Sequence, residues 1–431
     1  MLQIMRHMGF NDRWISWIKC LFSSRRSSVL LNGVPGRQFQ CRCGVRQGDP
    51  LSPLIFVLAA DLLQSAINDA FRQGKIELPF PCNGQTDYPV IQYGDDTLIV
   101  LPACIRQATL IKEILSDYAT SIGLKLNFHK STLIPINLDP SSKNALARVF
   151  GCTIGTMPFT YLGLPLGTSK PTILDLMPLV YSAERCLTST IAMMSYGGKL
   201  SWLNATVTSL LIYAMCTLKF PPKLIELLDR IRRRCLWTKK TEQGDRCSSL
   251  AAWEMVCKPK KHGGLGVINL NIQNKGLLLK HLHKFYNKMD VPCVHLLWDN
   301  LYVDKIPHAV NPGGSFWWRN ILKLTPIFRG ISHVQLVDGA TTLLWKYLWA
   351  RDVLHDSHPR AFSFTLHEDI SVANFWASND LHETFHLPVS PTALDKIRDM
   401  QLTLTKICPS TSTTDVWHYM FTNFLLIEYM P

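Results

Sequence analysis

The chain has 431 residues, 47% of them apolar, which is enough for two or three domains with packed cores and excludes disorder as the main state. Lys and Arg (45) outnumber Asp and Glu (32), and the resulting formal charge of +13 favours polyanions such as nucleic acid or an anionic membrane surface without choosing between them. Thirteen cysteines form no Cys-x-x-Cys pair, and Cys41 and Cys43 lie too close for a zinc knuckle, so the pattern fits a reducing compartment.

No run reaches the 18 uninterrupted apolar residues of a membrane-spanning helix, and Arg6, His7, Asp12 and Arg13 break any secretory apolar stretch. The expected location is intracellular, nuclear or cytoplasmic, with no membrane partner. Residues 1 to 22 predict two helical segments, with Ile4, Met5 and Met8 in the first and Asn11 capping the second. Because the pattern is already helical at Met1, the domain is expected to begin further upstream. Ser27–Asn32 and Gln38–Arg42 predict a hairpin turning through Gly33-Val34-Pro35-Gly36.

Ser52 is placed to cap a helix with Pro53 in its first turn, and Leu54, Leu58, Leu62 with Ile55, Ala59, Ala66 are expected on its buried side. Pro89–Val100 predicts strand, tight turn, strand about Gly94-Asp95-Asp96. Leu110 to Ile122 repeat at helical spacing, Gly123 stops that helix, and a short strand is expected through Leu124–Phe128. From about 175 to 290 the pattern is helical, with Pro221-Pro222 opening one helix. The fold class expected is α+β, with mixed elements and no regular βαβ alternation.

Tyr93-Gly94-Asp95-Asp96 is the strongest local feature. Two adjacent carboxylates at a hairpin tip can share a pair of Mg²⁺ ions, as in-line phosphoryl displacement requires. A lone Gly-Asp-Asp is also an ordinary solvent-facing turn. Upstream, Gly44-Val45-Arg46-Gln47-Gly48-Asp49-Pro50 runs into the Ser52 helix and offers an amide, a guanidinium and a close-approach glycine at a helix N-terminus, suited to a base edge and a phosphate. By itself it is equally a surface loop.

Together with Tyr161-Leu162-Gly163-Leu164-Pro165-Leu166-Gly167, these segments resemble the reverse transcriptases of non-LTR (LINE-type) retrotransposons, especially those of plants. The resemblance covers roughly residues 1 to 290. It implies that the Arg46-Gln47-Gly48 loop is motif B, beside the incoming dNTP and template base. Tyr93-Gly94-Asp95-Asp96 would be motif C, holding Mg²⁺, and Gly123 to Ser131 motif D, with Lys130 assisting pyrophosphate departure. Tyr161 to Gly167 would be motif E, the primer grip of Leu162, Gly163 and Leu164. The partners implied are an RNA template, a DNA primer and dNTP. The implied domains are a partial right-hand palm over 1–168, a helical thumb-like region over 169–290, and a Trp- and His-rich region over 291–431.

One departure matters most. The family's motif A strand, whose aspartate completes a three-carboxylate metal site, has no counterpart: Asp12, Asp49 and Asp61 do not match its position. Two-metal geometry is then hard to maintain, and the chain alone is expected to be inactive or nearly so. The alternatives are a non-enzymatic nucleic-acid-binding remnant and a pseudogene-like fragment.

Leu224, Leu227, Leu228, Ile231 and Cys235 predict the buried face of one helix. Arg230, Arg232, Arg233, Arg234, Lys239 and Lys240 surround it, and Arg230, Arg233 and Arg234 are the expected contacts to duplex phosphates. Lys258 to Gly266 is expected to be a polar connection. Trp317, Trp318, Trp345, Trp349, Trp376 and Trp417 are expected to be core rather than base-stacking platforms. His382 and His386 have ligand spacing but no third partner, so no zinc site is assigned.

Overall fold

The computed structural model describes residues 1–41, 44–45, 48–79, 87–124, 126–187, 193–241, 244–302, 314–378, 380–407 and 414–419, without the side chains of 239–241, 244–247 and 406–407. Two compact units result, Met1–Met157 and Pro158–Pro431, and both mix helices with two-stranded sheets, an α+β architecture.

In the first unit, α1 (Leu2–His7) and α2 (Asp12–Ser23) bury Met5, Ile15 and Ile18 against Ile55. The Asn11 side chain caps α2 by accepting from the Arg13 amide at 2.8 Å. Next, β1 (Arg26–Ser27) pairs with β4 (Phe39–Gln40), and β2 (Leu30–Leu31) with β3 (Val34–Pro35). The turn is not at 33–36 as the Gly and Pro residues had implied. It is Asn32-Gly33, both at positive φ (50° and 82°), because a two-residue turn that matches strand twist needs left-handed backbone twice, and Asn-Gly supplies it. Arg42 and Cys43, at the end of the predicted hairpin, lie outside the described residues.

The helix α3 (Ser52–Arg72) begins with Ser52 inside it, after Leu51 at the cap position, while the Asp49 carboxylate accepts from the Leu51 amide at 2.9 Å. Its buried seam is Ile55, Ala59, Leu63, Ile67 and Ala70, whereas Leu54 is 61% exposed. Of the expected positions Ile55 and Ala59 lie on the seam, Leu58, Leu62 and Ala66 are half-buried at its edge, and Leu54 alone points to solvent. The hairpin β5 (Val90–Tyr93) and β6 (Asp96–Ile99) follows, then α4 (Ile105–Ile122), which Gly123 ends at φ 79°. No strand forms over the described part of 124–128. Leu126 and Phe128 instead pack against the core of Leu63, Ile67, Tyr88, Ile111 and Leu115. A short parallel pair, β7 (Thr132–Leu133) and β8 (Thr153–Ile154), is bridged by α5 (Pro140–Phe150).

The second unit opens with the hairpin β9 (Phe159–Tyr161) and β10 (Leu164–Leu166). Helices α6 (Ile173–Arg185), α7 (Tyr196–Trp202), α8 (Ser209–Thr217), α9 (Pro222–Trp237) and α10 (Trp253–Cys257) follow, with a π-helical stretch over Leu203–Thr208. The predicted all-helical run is broken by a hairpin, β11 (Thr238–Thr241) and β12 (Gly244–Cys247). Leu203, Val207, Leu211, Leu224 and Leu228 are fully buried in this first core, which reaches Leu270 on α11 (Leu270–Tyr286). From Leu278 onward the same helix enters a second core rich in aromatics: Phe285, Tyr286, Trp318, Phe328, Trp345 and Trp417. The tryptophans are mostly core, as their size predicts, with Trp376 the exposed member at 41%.

Around that second core lie α12 (Pro292–Leu301), α13 (Phe316–Leu322), α14 (Thr325–Ile331), β13 (Ser332–Gln335), three short helices α15 (Leu354–Ser357), α16 (Pro359–Phe362) and α17 (Val372–Ala377), α18 (Pro391–Ile407) and β14 (Val416–Tyr419). Strand β14 pairs with β13. Just before it, the buried Asp415 carboxylate accepts from the amides of Val337 and Gly339, both at 2.9 Å, and from the hydroxyls of Thr341 and Thr342.

Two segments are long and apolar enough to cross a membrane by length and composition: α3, and the helical run 196–217, with mean hydropathy 1.5 and 1.2. Asp61, Gln64, Asn68 and Asp69 interrupt α3, and the apolar seams of both segments face protein cores.

Candidate active site and nucleic-acid interface

The β5–β6 register sets Tyr93 opposite Asp96, leaving Gly94 and Asp95 as a two-residue turn. Gly94 is at φ 59° and Asp95 is not at positive φ, the combination in which the first turn residue is best a glycine. A Cβ at Gly94 would meet nothing within 4 Å, so backbone conformation and not crowding calls for glycine here. Tyr93, Asp95 and Asp96 are all exposed. Among the described residues neither carboxylate has a hydrogen-bond or ion-pair partner, so both oxygen pairs are available to a cation or ligand.

The turn faces a cavity of about 840 Å³ whose walls are Gly48, Asp49, Pro50, Ser52 and Pro53, the Phe56, Val57, Ala60 and Asp61 side of α3, and Gln92 with Gly94. Gly48, at φ 83°, is thus brought to the hairpin tip despite a separation of more than 40 residues. Arg46 and Gln47 lie outside the described residues, as does Lys125. Phe56 and Gln92 were not singled out by sequence, and Asp61 was weighed only as a third carboxylate and set aside; the helical spacing of Phe56 and Ala60 relative to Ser52 was the available signal.

The donor set for a metal can be tested directly. Among the described residues no three of His, Cys, Asp and Glu stand together as ligands. Asp49 is engaged on the Leu51 amide, and Asp61 lines the cavity without joining Asp95 and Asp96. Two carboxylates do not make a cradle for two bridged cations, so the residues present do not fit a two-metal centre.

Lys130 is exposed, its amide bonded to the Asn127 carbonyl at 3.1 Å, and it is not among the cavity walls. In the second unit, Leu162 and Gly163 form the β9–β10 turn at φ 49° and 79°, and Leu164 is buried beside Leu176. His382 belongs to a short 3₁₀ turn and is part of no group of three metal-ligating side chains among the described residues. The Lys258–Gly266 connection is sterically constrained: a Cβ at Gly264 would meet the Lys258 carbonyl oxygen at 2.0 Å, which explains that glycine structurally.

Helix α9 buries Leu224, Leu228, Ile231 and Cys235 as expected, but Arg232 goes with them. Its guanidinium is fully buried, paired with Asp229 at 2.7 Å, bonded to the Ile268 carbonyl at 2.5 Å, and 5.5 Å from the Trp253 ring. Burial lowers its pKa and the Asp229 charge opposes that shift. Arg232 therefore holds the unit together and does not meet solvent, since it follows Leu228 by four residues and lies on the seam. Arg233 is half-buried and lies 5.5 Å from the same ring. Arg230 and Arg234 are exposed one turn apart, with Glu226 3.9 Å from Arg230. The side chains of Lys239 and Lys240 lie outside the described residues.

Comparison with known proteins bears on this arrangement. Residues 2–166 match the family model for reverse transcriptase (RNA-dependent DNA polymerase). A retrovirus-related Pol polyprotein from the type-1 retrotransposable element R2 of Popillia japonica is 21% identical over 370 residues, covering 80% of this chain. Over residues 2–166 the chain is similar to reverse transcriptases, and over most of its length to a non-LTR retrotransposon Pol polyprotein. The chain is also 24% identical over 159 residues, 37% of its length, to the retrovirus-related Pol polyprotein from the type-2 retrotransposable element R2DM of Drosophila melanogaster. A candidate ribonuclease H protein of Arabidopsis thaliana is 33% identical over 87 residues, 20% of the chain. The chain spans 14% of the Arabidopsis protein, 56% of the Popillia one and 13% of the Drosophila one. Reverse transcriptases bind template, primer and dNTP and use a divalent metal, commonly Mg²⁺.

Proposed function

We propose that residues 1 to about 168 are the motif B to motif E part of a right-hand polymerase palm, followed by a thumb-like region to about 290 and a further domain to 431. The parent reaction is RNA-templated DNA synthesis, in which a primer 3′-hydroxyl attacks a dNTP α-phosphate and pyrophosphate leaves. The observation that carries this reading is the cavity that sets Gly48 and α3 against the Asp95 hairpin tip, the juxtaposition a nucleotide pocket needs. On this reading Arg46, Gln47, Gly48 and Tyr93 position nucleotide and template, Lys130 donates a proton to the leaving group, and Leu162 to Leu164 hold the primer. Arg230 and Arg234, with Arg233, contact the phosphates of the duplex, inside the cell.

The 431-residue chain by itself is proposed to bind nucleic acid without polymerising, because among the described residues Asp95 and Asp96 are the carboxylates that would hold Mg²⁺ and no third joins them. Removal of one bridging ligand costs orders of magnitude in rate. Primer extension on an RNA template in Mg²⁺ tests this. The expected result is no product above background, and robust synthesis that Asp95→Asn abolishes would overturn it.

A further inference from the structure

Four lysines distant in sequence converge in the second unit. Lys170 lies in the β10–α6 loop, Lys219 in the α8–α9 loop, Lys275 on α11, and Lys323 just past α13. Lys170 and Lys219 line one cleft with Trp317 and Asn320. Among the described residues, none of the four has a carboxylate partner. The Lys219 ammonium is held below its ordinary pKa by partial burial and then by the charges of Lys323, Lys275 and Lys170, with no acid opposing them.

The platform beneath is rigid. The Asn274 side chain, 3% exposed, donates to the carbonyls of Met215 and Leu218, both at 2.8 Å, and accepts from the Phe220 amide at 2.9 Å, which fixes the loop bearing Lys219. Trp317 donates to the Thr217 carbonyl at 2.7 Å and meets the His281 ring edge-on at 5.0 Å. Like charges gathered on an ordered surface without counter-ions destabilise the fold. A polyanion that supplies the missing charge removes that penalty.

We infer that Lys170, Lys219, Lys275 and Lys323 form a contact site for the phosphodiester backbone of a nucleic-acid duplex, additional to the exposed arginines of α9. Lys219 lies just before α9 and Arg234 near its end, so positive charge stands at both ends of a 16-residue helix about 24 Å long. A backbone lying along that helix would meet both clusters. The site does not depend on the polymerase reading, and the primer-extension result leaves it untouched.

The test is fluorescence anisotropy of the full chain with a labelled 20-base-pair DNA duplex across a KCl series. Each phosphate neutralised contributes about 0.9 to the slope of log K against log salt. Changing all four lysines to Gln is expected to reduce that slope by roughly 3 to 4 and to weaken binding at low salt, whereas changing Arg230 and Arg234 to Gln removes about 2. Lys219→Gln is expected to raise the melting temperature of the free chain, since it relieves repulsion. An unchanged slope in the folded quadruple variant overturns the inference, as does a lower melting temperature for Lys219→Gln. Lysine-dependent binding to phosphatidylserine vesicles with no duplex binding also overturns it.

Discussion

Replacing Asn274 by Ala removes one side chain that satisfies three backbone groups. Its amide donates to the Met215 and Leu218 carbonyls and its oxygen accepts from the Phe220 amide, all at 2.8 to 2.9 Å and all buried. Three net hydrogen bonds are worth about 3 kcal/mol, and each backbone group left buried without a partner adds about 1–3 kcal/mol. Water entering the space left by the amide recovers part of that, so a loss of about 3–5 kcal/mol is expected, above the usual range for point changes. Urea unfolding followed by tryptophan fluorescence reads it, because Trp317 is bonded to Thr217 next to the affected loop. Asn274→Asp keeps the acceptor for Phe220 but turns a carboxylate oxygen toward two carbonyls, so at pH 7 it should be at least as damaging as Ala. It should recover in part in acid, where the carboxyl can donate. A loss below about 1 kcal/mol for Asn274→Ala would refute the premise that this residue pins the loop.

Two further outcomes are expected. Leu162 holds φ 49° in the β9–β10 turn, a conformation that costs a branched residue about 1–2 kcal/mol; Leu162→Gly should recover about 1 kcal/mol in thermal unfolding while weakening any primer contact, and destabilisation would show that packing outweighs the strain. His281 and His283 on α11 both have pKa values lowered by burial, so the unfolded chain takes up protons before the folded one as pH falls through about 6.5. Stability should therefore be full above that pH and decline below it, and changing both to Gln should flatten denaturation midpoints measured between pH 7.5 and 5.5.

What could be read from the sequence was whatever short-range chemistry decides. The Gly94-Asp95 turn between β-branched strands, Gly123 ending α4, and Asn11 capping α2 each depend on a few adjacent residues. Asn32-Gly33 carried an equally strong hairpin signal, and the nearby Val-Pro-Gly obscured it. Arg232 looked like surface because charge outweighed its place on the helical seam, and its partners, Asp229 beside it and the Ile268 carbonyl 36 residues away, become visible only in the folded chain. Phe56 lies at helical spacing from Ser52 on α3, but that Gln92 of β5 meets this side of the helix, and that four lysines from separate segments converge, is set by the fold and announced by no run or spacing.

The carboxylate of Asp415 gives the second unit an unusual dependence on its far end. Four donors from one bend converge on a residue more than 70 positions later, so that bend has no other way to satisfy them away from water. A protein shortened to stop before 415 would lose the keystone of its aromatic half and not a dispensable tail, and should be recovered as a loosely packed, protease-sensitive species.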